Sequence, residues 1–197
     1  MFDFNEEIAT LAPSRSMEFI ARAKAMQKTD PGVISLAGGE PDFATPEPIC
    51  EEAIRWMKAG YTHYTICPGL PELRQGIVEK LSRDNGAVYS PEGVIVAPGG
   101  KFAIYLAIRA LVNKGDEVMY LEPGWVSYPA IIQASGATGV PVRLSGKDDF
   151  RLTRDILEKH VTDRTKMLIV NYPNNPTGRC LSPGEADEIE RFMLDHK

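Results

Sequence analysis

From residue 90 onward, short apolar, β-branched runs alternate with helix-like stretches, and no other feature restricts the fold of this chain as much. Strands are expected at 93–97, 117–121, 139–143 and 166–170, with helices at 101–113, 125–134 and 153–159 between them. Such alternation predicts an α/β architecture with a mostly parallel sheet flanked by helices. Lys114-Gly115-Asp116 is the stop and turn after the first of these helices. Upstream, 46–59 reads as a helix with Ile49, Ala53, Trp56 and Met57 on one face. The stretch 71–84 repeats the form, with Pro71 at the first helical position and Asn85-Gly86 as a left-handed stop. Ser182-Pro183-Gly184-Glu185 is a capping-box pattern that opens a last helix carrying Ile189, Phe192 and Met193.

The chain has 197 residues, 43% hydrophobic and 25% charged, enough for one core or slightly more. A net charge of -5 gives no electrostatic footprint for nucleic acid or an anionic membrane. No apolar run approaches the roughly 20 residues that span a bilayer. The start, Met1 to Glu7, is acidic rather than positively charged, so a cytoplasmic location is expected. Cys50, Cys67 and Cys180 are scattered, as are His63, His160 and His196, and neither set has metal-ligand spacing. Four strands followed by an unreciprocated helix make an unfinished sheet, so the chain is expected to be the front half of a larger one.

Several segments place chemistry at strand ends, where open α/β sheets bind ligands. The apolar run Met167-Leu168-Ile169-Val170 leads directly into Asn171-Tyr172-Pro173-Asn174-Asn175-Pro176-Thr177-Gly178. By itself this is either a ligand-facing amide on a stiff turn or an ordinary Asn/Pro/Gly turn. Pro98-Gly99-Gly100-Lys101-Phe102 joins a strand to a helix. It is either a phosphate cradle, with free N–H groups at a helix start, or a structural turn. It does not satisfy G-x-x-x-x-G-K-[ST], because Phe102 occupies the Ser/Thr place, which argues against a nucleotide-binding module. Trp125, in Gly124-Trp125-Val126-Ser127-Tyr128, either stacks on a flat ligand or packs in the core. Gly38-Gly39 before Glu40-Pro41 marks close backbone approach or a tight turn. Tyr64, in Tyr61-Thr62-His63-Tyr64, is a neutral donor or a turn aromatic.

Together these segments, in this order across 35–178, resemble the class I/II aminotransferases, pyridoxal-phosphate (PLP) enzymes of fold type I. The spacing is most similar to the prokaryotic aspartate/prephenate-type subgroup. The resemblance implies that PLP is held by Tyr64, Gly99, Gly100, Lys101, Trp125 and Asn175. Asn175 would face the phenolic oxygen, Trp125 the pyridine ring, and the glycines the phosphate; Tyr64 would serve the neighbouring subunit of a homodimer. Gly39 would lie against the substrate carboxylate, with Trp125 and Asn175 also in the substrate site. Lys101, with Ser14 and Ser16 of Pro13-Ser14-Arg15-Ser16, would recognise an acidic substrate side chain, unless Lys101 neutralises the phosphate or points to solvent. Arg15 departs from the small residue expected between the serines.

The implied activity is transfer of an amino group between an amino acid and a 2-oxo acid, with aspartate or glutamate preferred. A carbon–sulfur lyase on the same fold and a non-catalytic dimerisation or scaffold partner are the alternatives. The Schiff-base lysine, the carboxylate at the pyridine nitrogen and the arginine for the substrate carboxylate would all follow Lys197, so no catalytic residue is expected within 1–197 and the segment should be inactive alone. Residues 1–45 would form an arm and part of a small domain, and 46–197 the first half of a large PLP domain.

Overall fold

The structure is a computed structural model and describes residues 6–13 and 15–196. Its centre is one strand, β1 (Glu117–Glu122), paired in parallel with β2 (Thr138–Arg143) on one side and β3 (Thr165–Ile169) on the other. The sheet order is therefore β2-β1-β3. The register to β2 is unbroken from Glu117↔Thr138 to Glu122↔Arg143, whereas the register to β3 slips between Glu117 and Val118.

Alternate side chains of β1 point to opposite faces of the sheet, and both faces are covered. Val118 and Tyr120 join Ile108 and Val112 from the α5 (Gly100–Leu111) side and Tyr128, Ile131 and Ile132 from α6 (Ser127–Ala134). Met119 and Leu121 join Val142, Leu152, Leu157 of α7 (Arg154–Glu158) and Phe192 of α8 (Pro183–Asp195). A strand buried on both faces needs a continuous apolar run, and Val118-Met119-Tyr120-Leu121 supplies it. Each fully buried aliphatic side chain contributes roughly 1.5–3 kcal/mol.

Helix boundaries follow their caps. α4 (Pro71–Asn85) begins at a proline and ends at Gly86, which adopts φ 64°. α7 begins where Thr153 Oγ1 accepts the Ile156 N–H at 3.4 Å. At α8, the Glu185 N–H donates to Ser182 Oγ (3.3 Å), while the Ser182 N–H and hydroxyl donate back to Glu185 Oε2 (3.0 and 2.8 Å). Arg179 Nη2 also donates to Glu185 Oε1 at 2.7 Å, so a nearly buried carboxylate has a partner for each oxygen. Burial by itself raises the Glu185 carboxyl, but the bonds from Ser182 and then Arg179 outweigh it and hold the pKa at about 2.

One expectation needs correction, and two features lie outside what the sequence indicated. Residues 93–97 do not form a strand: Pro91–Gly93 is a 3-10 turn, and the extended stretch after it has no partner strand. Its backbone groups go elsewhere, the Val96 N–H to Pro68 O (2.9 Å) and Val94 O to Arg74 Nε (2.9 Å). Extended dihedrals are local, but a strand exists only where another backbone lies alongside. The helix expected at 46–59 is present as α3 (Glu47–Lys58), but no residue of it is buried. Trp56 instead meets Tyr61 edge-on at 4.2 Å. Finally, the helix α2 (Arg15–Gln27) had no sequence expectation, since its apolar residues are interrupted by Glu18, Arg22 and Lys24. The short α1 (Glu6–Ala9) precedes it. No described helix is long and apolar enough to cross a membrane.

Two predictions follow from this packing. The Glu185 carboxyl titrates near 2 in the folded chain against about 4.5 when unfolded, so its stabilisation is complete above pH 4.5 and is lost as the pH falls toward 2. Urea midpoints between pH 6 and pH 2.5 should drop in the native sequence, and Glu185→Gln should flatten that drop while lowering the midpoint at pH 6. At Gly124, a Cβ would lie 2.1 Å from the Leu121 carbonyl oxygen, a contact that only a backbone shift relieves. Gly124→Ala should therefore cost about 1–3 kcal/mol in chemical denaturation.

Candidate active site

The helices that follow β1 and β3 lie on opposite faces of the sheet, α6 among the Val118–Tyr120 cluster and α8 among the Met119–Leu121 cluster. Between two neighbouring parallel strands whose connections diverge in this way, a crevice opens at the carboxyl ends. The loop after β1 carries Gly124 and Trp125 into that crevice; the loop after β3 carries Asn174 and Asn175. The Glu122–Pro123, Tyr172–Pro173 and Asn175–Pro176 peptide bonds in these loops are cis.

The two asparagines divide the work of the second loop. Asn174 is buried and structural: its Oδ1 accepts the Thr177 hydroxyl (2.8 Å) and N–H (3.2 Å), and its Nδ2 donates to Pro123 O at 3.4 Å. The backbone closes the turn through Gly178 N–H to Asn174 O (2.7 Å) and Asn174 N–H to Arg179 O (2.8 Å). With Asn174 tying one strand end to the other, Asn175 is left exposed on the crevice side. Below this turn, burial pushes the Tyr172 phenol up, and neighbouring Glu185 adds to the effect.

A cavity of about 490 Å³ occupies this place, within the range of small-molecule sites. Trp125 and Asn175 line it from the strand ends, Gly39 from the segment before α3, and Ser16 from α2. Four of the residues singled out from the sequence are thus brought together across more than 150 positions of chain. A Cβ built on Gly39 meets no atom within 4 Å, so the glycine leaves the cavity open at that wall.

Lys101 lies elsewhere. It lines an adjoining, more apolar cavity of about 670 Å³ together with Phe102, Tyr105 and Leu11, and Val126 forms the wall common to both. Its Nζ sits 5.3 Å from the centroid of the Trp125 ring, a cation–π contact that connects the two sites. The indole also meets Tyr128 edge-on, with ring centroids 5.4 Å apart, and burial pushes the Tyr128 phenol up. Gly99 and Gly100 line neither cavity, although their neighbours Pro98 and Lys101 line the larger one. Gly99 has φ 92°, a conformation that favours glycine, and no atom lies within 4 Å of a Cβ built on either glycine. The Gly99 N–H donates to Ala97 O at 2.8 Å, and the first N–H groups of α5 itself have no partner within the helix. Tyr64 is fully exposed and lines none of these cavities. Ser14 lies outside the described residues. Among the described residues, no group of three His, Cys, Asp or Glu side chains could hold a metal.

The cavity also has lining residues that the sequence did not point to. Lys24 and Gln27 reach it from α2 and Glu40 from the segment before α3. A charged residue on an exposed helix carries no local signal of what it faces, so only the packing of α2, through Ile20, over Gly38 brings these residues to the cavity.

Comparison with known proteins agrees with this geometry. Residues 31–197 match the family described as aminotransferase class I and II. The aspartate aminotransferase of Bacillus sp. strain YM-2 is 39% identical over 189 residues, which cover 96% of this chain and 48% of that protein. A probable aspartate/prephenate aminotransferase of Aquifex aeolicus is 37% identical, over 95% of this chain and 48% of that one. The solved aspartate aminotransferase of Thermus thermophilus with maleate superposes with a TM-score of 0.96 at 35% identity, covering 100% of this chain and 52% of its own. The chain spans about half the length of the curated relatives it matches. A parallel sheet with its ligand crevice at the carboxyl strand ends, and this degree of likeness across nearly every residue, place the chain in the class I and II aminotransferase family, with the fold type I architecture.

Proposed function

We propose that the protein to which these residues belong is a PLP-dependent aminotransferase that moves an amino group between an amino acid and a 2-oxo acid, with acidic amino acids preferred. The observation that carries this reading is the convergence of Trp125 and Asn175, from two different strand ends, on one cavity of about 490 Å³ that Gly39 leaves open. The relatives, named aspartate and aspartate/prephenate aminotransferases, support the substrate class.

The residues present fit PLP. The open N–H groups at the start of α5, with the positive end of that helix's dipole, suit a phosphate, and Lys101 adds a cation one residue on. The Trp125 indole, in contact with Tyr128 and Lys101, is the flat group at the cavity that suits the pyridine ring. Asn175, freed from turn duty by Asn174, has an amide to donate to the phenolic oxygen. When bound, PLP supplies an electron sink that makes the substrate α-proton acidic. The protein's part is to orient the ring, hold the phosphate and keep the substrate's ends in place. The Schiff-base lysine is assigned to the part of the protein beyond Lys197, since Lys101 serves the phosphate end.

The same reading makes the working unit a homodimer in the cytoplasm. Full exposure of Tyr64 supports its service to a neighbouring subunit's cofactor phosphate. Residues 1–45 then belong to an arm and part of a small domain, and 46–197 to the first half of the large PLP domain.

The cofactor assignment is tested by PLP quenching of Trp125 fluorescence in a Trp56→Phe background, which removes the other indole. Saturable quenching is expected, and Asn175→Ala should weaken it roughly ten-fold through loss of one hydrogen bond to a charged oxygen. Quenching that is unsaturable or indifferent to Asn175 would overturn the site. In the complete enzyme, Lys101→Ser should lower kcat/KM for aspartate more than for an aromatic amino acid. An equal loss on both assigns Lys101 to the phosphate alone.

A further inference from the structure

We infer that Asn174 is a positioning residue, whose side-chain amide sets the Trp125 indole and the Asn175 amide in register so that one flat ligand meets both; this rests on the reading of the cavity just given. Trp125 and Asn175 stand in loops after different strands, and both line the cavity of about 490 Å³. Among the described residues, one hydrogen bond joins the two loops, from Asn174 Nδ2 to Pro123 O at 3.4 Å. Asn174 adjoins Asn175, and Pro123 stands two residues before Trp125. The tie between the two ligand-facing groups is therefore a single buried side chain. Asn174 itself lines neither cavity, so it acts on a ligand only through its neighbours.

The direction of this amide is fixed by the chemistry of its partners. The Thr177 N–H, which can only donate, meets Oδ1 at 3.2 Å, and the Thr177 hydroxyl donates to the same oxygen at 2.8 Å. The Pro123 carbonyl can only accept, so the group facing it has to be the NH2. A flipped amide would set donor against donor and acceptor against acceptor. The backbone holds the residue from behind. Its N–H donates to Arg179 O at 2.8 Å, and Arg179 is paired with the buried Glu185 at 2.7 Å.

Asn174→Asp separates the two tasks of the side chain. An aspartate keeps an oxygen for Thr177 but turns a second oxygen toward the Pro123 carbonyl, so the turn stays and the tie between the loops breaks. In the Trp56→Phe chain without PLP, Asn174→Asp should raise the quenching of Trp125 by acrylamide, because the indole loop is released. PLP affinity should fall about five-fold, the effect of one hydrogen bond. That loss should run through Asn175. Adding Asn174→Asp to Asn175→Ala should cost only about two-fold more, whereas independent effects would multiply in full. Asn174→Ala, which brings no charge, should act in the same direction. Leu157→Val, a core change in the cluster on the other face of the sheet from Trp125, should lower the urea midpoint and leave acrylamide quenching and PLP affinity as they are. Unchanged acrylamide quenching in both Asn174 variants, a PLP loss that persists in full beside Asn175→Ala, or the same changes in Leu157→Val would each overturn the inference. The acrylamide measurement needs no cofactor, so it separates the two readings. PLP binding that ignores Asn175 while Asn174→Asp releases Trp125 removes the cofactor assignment and keeps the positioning of Trp125 by Asn174. PLP binding that needs Asn175 but ignores Asn174 removes this inference alone.

Discussion

Burial of β1 on both faces is the interaction on which the rest of this structure depends. Four consecutive side chains, Val118 to Leu121, are shared between two separate clusters, so neither cluster is complete without the strand. The alternation of side chains across the sheet sends α5 and α6 to one face and α7 and α8 to the other. Once β1 is central, β2 and β3 must lie on either side of it, and the divergence of α6 and α8 opens the crevice at the strand ends. The site is thus a consequence of how the core is divided, rather than a feature added to it.

Polar groups then fix what the core only approximates. Asn174 satisfies its own turn and reaches Pro123 on the neighbouring strand end, which holds the loops bearing Trp125 and Asn175 at a set distance. Arg179 and Glu185 secure the far end of the same loop to α8, with nearly every charged atom of the carboxylate partnered. A buried pair of this kind is costly to break one-sidedly, which makes the loop stiff where a ligand needs a fixed wall. The opposite wall is different in character. α2 and the segment carrying Gly38–Glu40 are mostly exposed.

Much of this was legible in the sequence because the signals are local. Apolar runs marked β1, β2 and β3; Pro71, Gly86 and the Ser182–Glu185 box marked helix ends. The motif residues Gly39, Trp125 and Asn175 were recognisable by type and order, and the fold brings them, with Ser16, to one cavity. The stretch 93–97 was misread for a reason that is equally physical. Its residues favour an extended backbone, but strand formation needs a neighbour, and here Arg74 and Pro68 take its backbone bonds.

What the sequence by itself determined is the set of pieces: alternating strands and helices, the caps that end them, and glycine, asparagine and aromatic residues at strand ends. Those depend on backbone preference and on contacts within a few residues, which the order of amino acids specifies directly. Tertiary structure alone decided which lysine faces the cavity, which asparagine is structural and which apolar faces find a partner. Lys24 and Lys101 are alike as letters, and Asn174 and Asn175 are adjacent. Their separation into different tasks arises from the packing of α2 over Gly38 and from a turn whose hydrogen bonds use one amide completely and leave its neighbour free.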